Sequence, residues 1–225
     1  MKSSIFALAT LLLSTQTLQA ELVKTNFPTG ELQSETNYRD GSRSDMRKGI
    51  KEGLEKNYYE MGNIAFEVNY LNNERDGVLK WYDKEGNLLS QTTYQQGKIV
   101  GLDVEYYKNK QIKHSVMYVN DQKEELEKEY FDNNQLALVV PYIHGKKEGI
   151  QKEYTYEGKL YTEVNYKNNY KEGLQTWYDT KGNIIKTELF KKDRPVDVMK
   201  KMQTDYEHEK VIIQGLNFSP NRPQN

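Results

Sequence analysis

The feature that most constrains this chain is a period of 24 residues. Stepping from Gly53 gives Gly77, Gly101, Glu125, Gly149 and Gly173 at position 1 of each copy. Position 2 is Leu54, Val78, Leu102, Leu126, Ile150 and Leu174, and position 6 is Tyr58, Tyr82, Tyr106, Tyr130, Tyr154 and Tyr178. Position 12 is always Ile or Leu, and position 18 is Tyr70, Tyr94, Tyr118, Tyr142, Tyr166 and then Phe190. No insertion or deletion interrupts residues 53–196. An earlier degenerate copy is visible at Gly30, Leu32, Tyr38 and Gly41, joined to the next through the longer link Asp45 to Glu52. A unit this short cannot bury its apolar side chains alone, so it must stack on its neighbours.

The spacing inside one copy predicts a β-hairpin. Alternate residues of a strand share a face, which groups positions 2, 4 and 6, and likewise positions 12, 16 and 18. The expectation is therefore one face of Leu and Tyr rows, with Tyr58, Tyr82, Tyr106, Tyr130, Tyr154, Tyr178, Tyr70, Tyr94, Tyr118, Tyr142 and Tyr166 as the repeat core. Between the strands, Gly62, Gly86, Gly158 and Gly182 supply the positive φ of a tight turn. The second connection, such as NNERDG, reads as longer and polar. Lys110 replaces a turn glycine, which predicts an irregular turn at Asn109 and Lys110, whereas Asn134 tolerates the left-handed conformation. Pro141 falls inside a strand and predicts a bulge or an interruption. Helix is disfavoured by the frequent glycines and the two-residue alternation. The fold class is all-β: an elongated antiparallel meander of thirteen or fourteen strands, about 60–65 Å long.

Composition agrees with a thin sheet. Only 36% of residues are hydrophobic, too few for a thick spherical core, yet 18 of the 225 residues are tyrosine, which a disordered chain would lack. A net charge of −1 carries no basic excess for nucleic acid. Zero cysteines exclude disulfides, thiolate nucleophiles and cysteine metal sites.

The ends differ from the repeats. Lys2, the apolar run Ile5 to Leu13 and the small residue Ala20 have the layout of a secretory signal, with cleavage expected between Ala20 and Glu21. Nine apolar residues fall short of the roughly 20 that span a bilayer, and no later stretch is long enough either. The organisation is then a signal peptide at 1–20, the degenerate repeat and linker at 21–52, six regular repeats at 53–196 and a C-terminal cap with an expected disordered tail at 197–225. Val198, Met199, Met202 and Tyr206 have helical spacing, and Val211 to Ile213 suit a last strand.

The unit G-L-x-x-x-Y-Y-x-x-G-N-I, followed by a second Tyr and a closing Gly, resembles the MORN repeat variant. The arrangement of several copies is similar to the bacterial YwqK family. The resemblance covers residues 53–196 and, weakly, 21–52. It implies a non-enzymatic β-hairpin scaffold for protein or membrane contact, and some members of that family are labelled antitoxins. An export signal departs from the cytoplasmic setting of an antitoxin.

The chain offers little catalytic chemistry. His114, His144 and His208 have no metal-like partner at short spacing. Glu105, Glu129 and Glu153 repeat at position 5, about 9–10 Å apart, too far for neighbours to share one ion. No phosphate-binding, serine-hydrolase or zinc-protease motif occurs. No cofactor is expected. Positions 5 and 7 carry Tyr59, Trp81, Tyr107, Phe131 and Trp177, a strip placed opposite the Leu and Tyr rows. It is either a binding surface for a protein or a glycan, or a face covered by curling of the sheet or by the C-terminal segment. The function expected is an exported, periplasmic or extracellular scaffold for protein–protein interaction, with a toxin-neutralising immunity role as the alternative.

Overall fold

The computed structural model describes residues 21–39 and 49–197, and every regular element among them is a β-strand. The signal segment and the expected C-terminal cap, with Ala20, Val198 and Tyr206, lie outside the described residues. The strands are β1 (Glu21–Asn26), β2 (Leu32–Arg39), β3 (Ile50–Tyr58), β4 (Ile64–Leu71), β5 (Glu74–Arg75), β6 (Gly77–Tyr82), β7 (Leu88–Gln95), β8 (Lys98–Ile99) and β9 (Gly101–Tyr106). The series continues with β10 (Ile112–Val119), β11 (Gln122–Tyr130), β12 (Leu136–Ile143), β13 (Lys146–Lys147), β14 (Gly149–Tyr154), β15 (Leu160–Lys167), β16 (Tyr170–Tyr178), β17 (Ile184–Lys191) and β18 (Arg194–Pro195). All pairings are antiparallel and between sequence neighbours, so the chain forms one open meander. The pieces β5, β8 and β13 are the beginnings of β6, β9 and β14, separated by one residue each, whereas β3, β11 and β16 run without that break.

The turn inside each hairpin is a three-residue loop. In the first regular copy the Gly62 amide donates to the Tyr59 carbonyl at 2.8 Å and the Tyr59 amide to Asn63 at 2.9 Å, with Gly62 at φ 92°. The irregular turn expected at Asn109 and Lys110 does not occur. Lys110 takes φ 67° and makes the same bond to Tyr107 at 2.9 Å, so the hydrogen bonds hold the shape and the lysine adopts the unfavourable conformation.

The second connection is shorter than the sequence suggested. It is a two-residue turn with both residues at positive φ, such as Asn72 (53°) and Asn73 (70°), whose flanking Leu71 and Glu74 pair directly. The polar residues that follow belong to a bulge, where positions 24, 1 and 2 oppose the single position 17. Gln175 thus pairs with Val164 and Lys171 with Tyr166, leaving Glu172, Gly173 and Leu174 across from Asn165. The Asn165 side chain donates to the Glu172 carbonyl at 2.6 Å and closes this bulge. Pro141 also occupies position 17, and β12 passes through it without interruption. Only the carbonyl at this position is called on, by the Glu148 amide at 3.0 Å, and proline retains its carbonyl.

A second bulge corrects the assignment of faces. In every hairpin the ladder shifts by one residue beside the tight turn: Tyr58 pairs with Ile64, but Asn57 pairs with Phe66 and Glu55 with Val68. The same shift separates Tyr130 from Glu129 and Tyr178 from Trp177. One extra residue, at position 13, reverses the parity of everything beyond it. Positions 3, 5, 14, 16 and 18 therefore share one side, here the valine face. Positions 2, 4, 6, 15 and 17 share the other, the leucine face. The Leu and Tyr rows do not form a single core: the position 6 and position 18 tyrosines point to opposite sides, and all eleven are half-buried.

Most of the core sits on the valine face, with Val104 of position 4 buried on the other. Val68, Val116, Val140 and Val164 are between 0 and 2% exposed, and Leu79 is 4% exposed. On the leucine face the position 2 row is open, with Leu102 at 49%, Leu126 at 44%, Ile150 at 50% and Leu174 at 56% exposure.

Candidate functional site

The valine face is built from a line of position 16 and position 3 residues crossing the sheet: Thr36, Glu55, Val68, Leu79 and onward to Val164 and Gln175. Position 3 is buried although it is mostly polar, with Glu55, Glu127, Gln151 and Gln175 each 8% exposed. A buried carboxylate or amide needs partners. They come from position 23, four residues earlier and across the bulge. Lys51 Nζ donates to Glu55 at 2.8 Å, Lys147 to Gln151 at 3.1 Å and Lys171 to Gln175 at 2.9 Å, and Lys123 donates to Glu127. The same ammonium groups lie over the next position 18 ring: Lys51 over Tyr70 at 4.6 Å, Lys123 over Tyr142 at 5.1 Å and Lys147 over Tyr166 at 5.0 Å. Arg75 does this for Tyr94 at 5.2 Å, and there position 3 is the apolar Leu79. Sequence reasoning missed this ladder, though the recurring Lys-x-x-x-Glu or Lys-x-x-x-Gln spacing at 51/55, 123/127, 147/151 and 171/175 was its signal.

One copy adds a histidine. His114 Nε2 lies 2.9 Å from Glu127 Oε1, which Lys123 also reaches, and His114 pairs in the ladder with Glu105 on one side and Glu129 on the other. The histidine bond, with Lys123 and Tyr142 adding to it against burial, lowers the Glu127 carboxyl to about 2. The same bond raises the His114 imidazole above its ordinary 6.5, opposed by burial. His144 is a surface residue, its Nδ1 2.8 Å from Glu124. Among the described residues no group of three or more His, Asp and Glu is arranged to hold a metal ion. His114 separates Glu105 from Glu129, and Leu138 separates Glu129 from Glu153, so the position 5 glutamates do not converge.

The residues expected to form one aromatic strip are not brought together. Trp81 and Trp177 sit on the valine face. The Trp81 ring packs on Phe66 with centroids 4.7 Å apart and stays 41% exposed, and Lys186 lies 4.6 Å over Trp177. Tyr59, Tyr107 and Phe131 instead begin the tight turns and join each hairpin to the next. The Tyr59 hydroxyl donates to the Tyr82 carbonyl at 2.8 Å, Tyr107 to the Tyr130 carbonyl at 2.7 Å, and Phe131 meets Tyr156 at 5.3 Å. They part because position 5 lies within the strand and position 7 at the start of the turn, while the position 13 bulge brings positions 14, 16 and 18 to the side of position 5.

The leucine face is organised differently. Its middle carries position 4 and position 15 side chains, with Lys80 3.3 Å from Glu67. Position 6 hydroxyls cross to the preceding hairpin: Tyr58 to Glu35 at 2.6 Å, Tyr82 to Glu67 at 2.9 Å and Tyr178 to Glu163 at 2.7 Å. Burial, reinforced by the neighbouring carboxylates, pushes the Tyr58 and Tyr82 hydroxyls up to about 12. Beside this polar band runs the open aliphatic row of Val78, Leu102, Leu126, Ile150 and Leu174, and Val119 and Ile143 extend it at 52% and 51% exposure.

The fold and its two faces define a repeat scaffold made of stacked β-hairpins. Residues 51–72, 75–96, 147–168 and 171–192 match the MORN repeat variant. Each matched segment begins at the position 23 cation and runs to the two-residue turn, so the matched unit includes the contact of that cation with the position 18 ring. No curated protein matches the chain. Repeats of this kind are generally protein-interaction or binding modules and typically non-catalytic. No helix among the described residues is long and apolar enough to cross a membrane.

Proposed function

We propose that the protein is an exported, non-enzymatic scaffold that holds a partner protein on its leucine face. The observation carrying this reading is the aliphatic row at position 2, left 37 to 56% exposed from Val78 to Leu174 on a sheet whose other face buries its valine row. Contiguous exposed apolar patches are uncommon on monomers and mark contact surfaces. Export is supported by Lys2, the apolar run Ile5 to Leu13 and Ala20. A toxin as the partner, the alternative suggested by similarity to the YwqK family, would use the same row.

Affinity capture from envelope and extracellular fractions tests the proposal. The wild-type chain is expected to retain a protein that the variant Leu102→Glu/Leu126→Glu/Ile150→Glu releases, with both chains giving the same circular dichroism spectrum. Retention by both would overturn the leucine-face reading, and release by Trp81→Ala/Trp177→Ala instead would move the contact to the valine face. N-terminal sequencing of the secreted product should begin at Glu21; a retained Met1 end would sink the export part.

A further inference from the structure

We infer that the partner segment on the leucine face is an amphipathic helix whose apolar stripe is flanked by acidic residues. The inference rests on the proposal above and adds the chemistry of the occupant.

The direction of the row sets the shape. Leu102 pairs with Met117 and Leu126 with Pro141, while Ile150 continues from the next hairpin, so the apolar side chains run across the strands. A linear segment that follows them meets one strand about every 4.8 Å. A helix presents one turn about every 5.4 Å, close enough to set successive turns on successive strands. An extended segment on this path would send alternate side chains away from the row. A helix keeps an i, i+3, i+4, i+7 stripe on it.

Charge sets the sign. Two residues along the same strands from Leu126 and Ile150, and on the same face, stand Lys128 and Lys152. In the first hairpins the equivalent band is balanced, with Lys80 bonded to Glu67. In the centre it is not. Lys128 lies between Ser115 and Val139, and Lys152 between Val139 and Glu163. Glu163 takes the Tyr178 hydroxyl at 2.7 Å, and among the described residues neither lysine forms an ion pair. On the other flank, Glu124 and Glu148 accept the amides of His144 and Asn168 at 2.9 and 2.8 Å and remain anionic, which places the acidic side of an incoming helix on the lysine flank. An aliphatic row beside unpaired cations fits carboxylates on the flank of the incoming stripe.

The test uses the full chain and two labelled 18-residue peptides, each with leucines at helical spacing and one flank of either glutamates or lysines, read by fluorescence anisotropy. The acidic peptide is expected to bind, to weaken as salt screens the lysines, and to lose about tenfold in affinity in Lys128→Glu/Lys152→Glu, which should then favour the basic peptide. The charge variant must keep the wild-type unfolding midpoint. Equal binding of both peptides to the wild-type chain overturns the acidic-helix inference while leaving the scaffold proposal standing. Loss of the captured protein in the Leu102/Leu126/Ile150 variant supports that proposal independently. Co-sedimentation with phosphatidylglycerol vesicles through the same two lysines, without acidic-peptide binding, would also overturn the inference and assign the face to a membrane.

Discussion

The two faces of this sheet are made by the same strands and yet differ in what they do with most of their apolar residues. On one side Val68, Val116 and Val140 are at most 1% exposed; on the other Leu102, Leu126 and Ile150 keep nearly half their surface. In a one-layer sheet, burial has to come from long side chains in neighbouring rows. The valine row has them, flanked by the position 18 rings and by lysines that pair with position 3. The position 2 row sits at a bulge opposite position 17, and stays open. A difference in burial is thus set by neighbours in the sheet and not by side-chain size, since Leu79 is 4% exposed and Val78 37%.

The sharpest way to break this contrast is to remove methyl groups from each face. Val140→Ala should cost about 2–3 kcal/mol in urea unfolding, as deletions at closed sites do, whereas Leu126→Ala should stay within about 0.5 kcal/mol, as at exposed sites. Equal losses would mean that the two faces are not distinct. Next in size is Glu127→Ala, which strips Lys123 and His114 of their shared acceptor and should cost about 2 kcal/mol; a loss as small as that of Glu105→Ala, whose side chain is 44% exposed, would take the polar ladder out of the stability. Lys110→Gly probes the turn row instead, and should gain about 1 kcal/mol by relieving the positive φ. No gain would show that the lysine conformation is not strained.

The smallest expected effect is in pH. The His114 imidazole is raised, so its contribution is full below its ordinary 6.5 and fades as pH rises through the higher folded value. The Glu127 carboxyl is lowered to about 2, so its contribution is full above its ordinary 4.5 and fades as pH falls toward 2. The stability difference between wild type and His114→Gln should peak between pH 4.5 and 6.5, at below about 1 kcal/mol. A difference that is flat from pH 4 to 9 would place the histidine outside the ladder.

Much of this architecture was legible because it depends on local chemistry. Gly62 and Gly182 marked the tight turns, and the regular Tyr spacing marked the hairpin. The Asn72–Asn73 and Asn168–Asn169 pairs were also a signal for two-residue turns, since asparagine tolerates positive φ at both positions. What local chemistry did not reveal was the extra residue at position 13. No glycine or proline marks Ala65, Leu89 or Ile185, yet the bulge there decides which face every later side chain occupies. The bulge at Ala65 thus carries Phe66 and Val68 to the side of Trp81, so the position 5 residues share a face with the valine row.

From its sequence alone the chain determined the period, the hairpin unit and the neighbour-to-neighbour order of the meander, because turn residues and alternation act within a few residues of each other. The tertiary structure alone decided which rows close and which remain open. That depends on cross-strand register, and a strand bearing one bulge reads the same along the chain whichever side it turns to its neighbours.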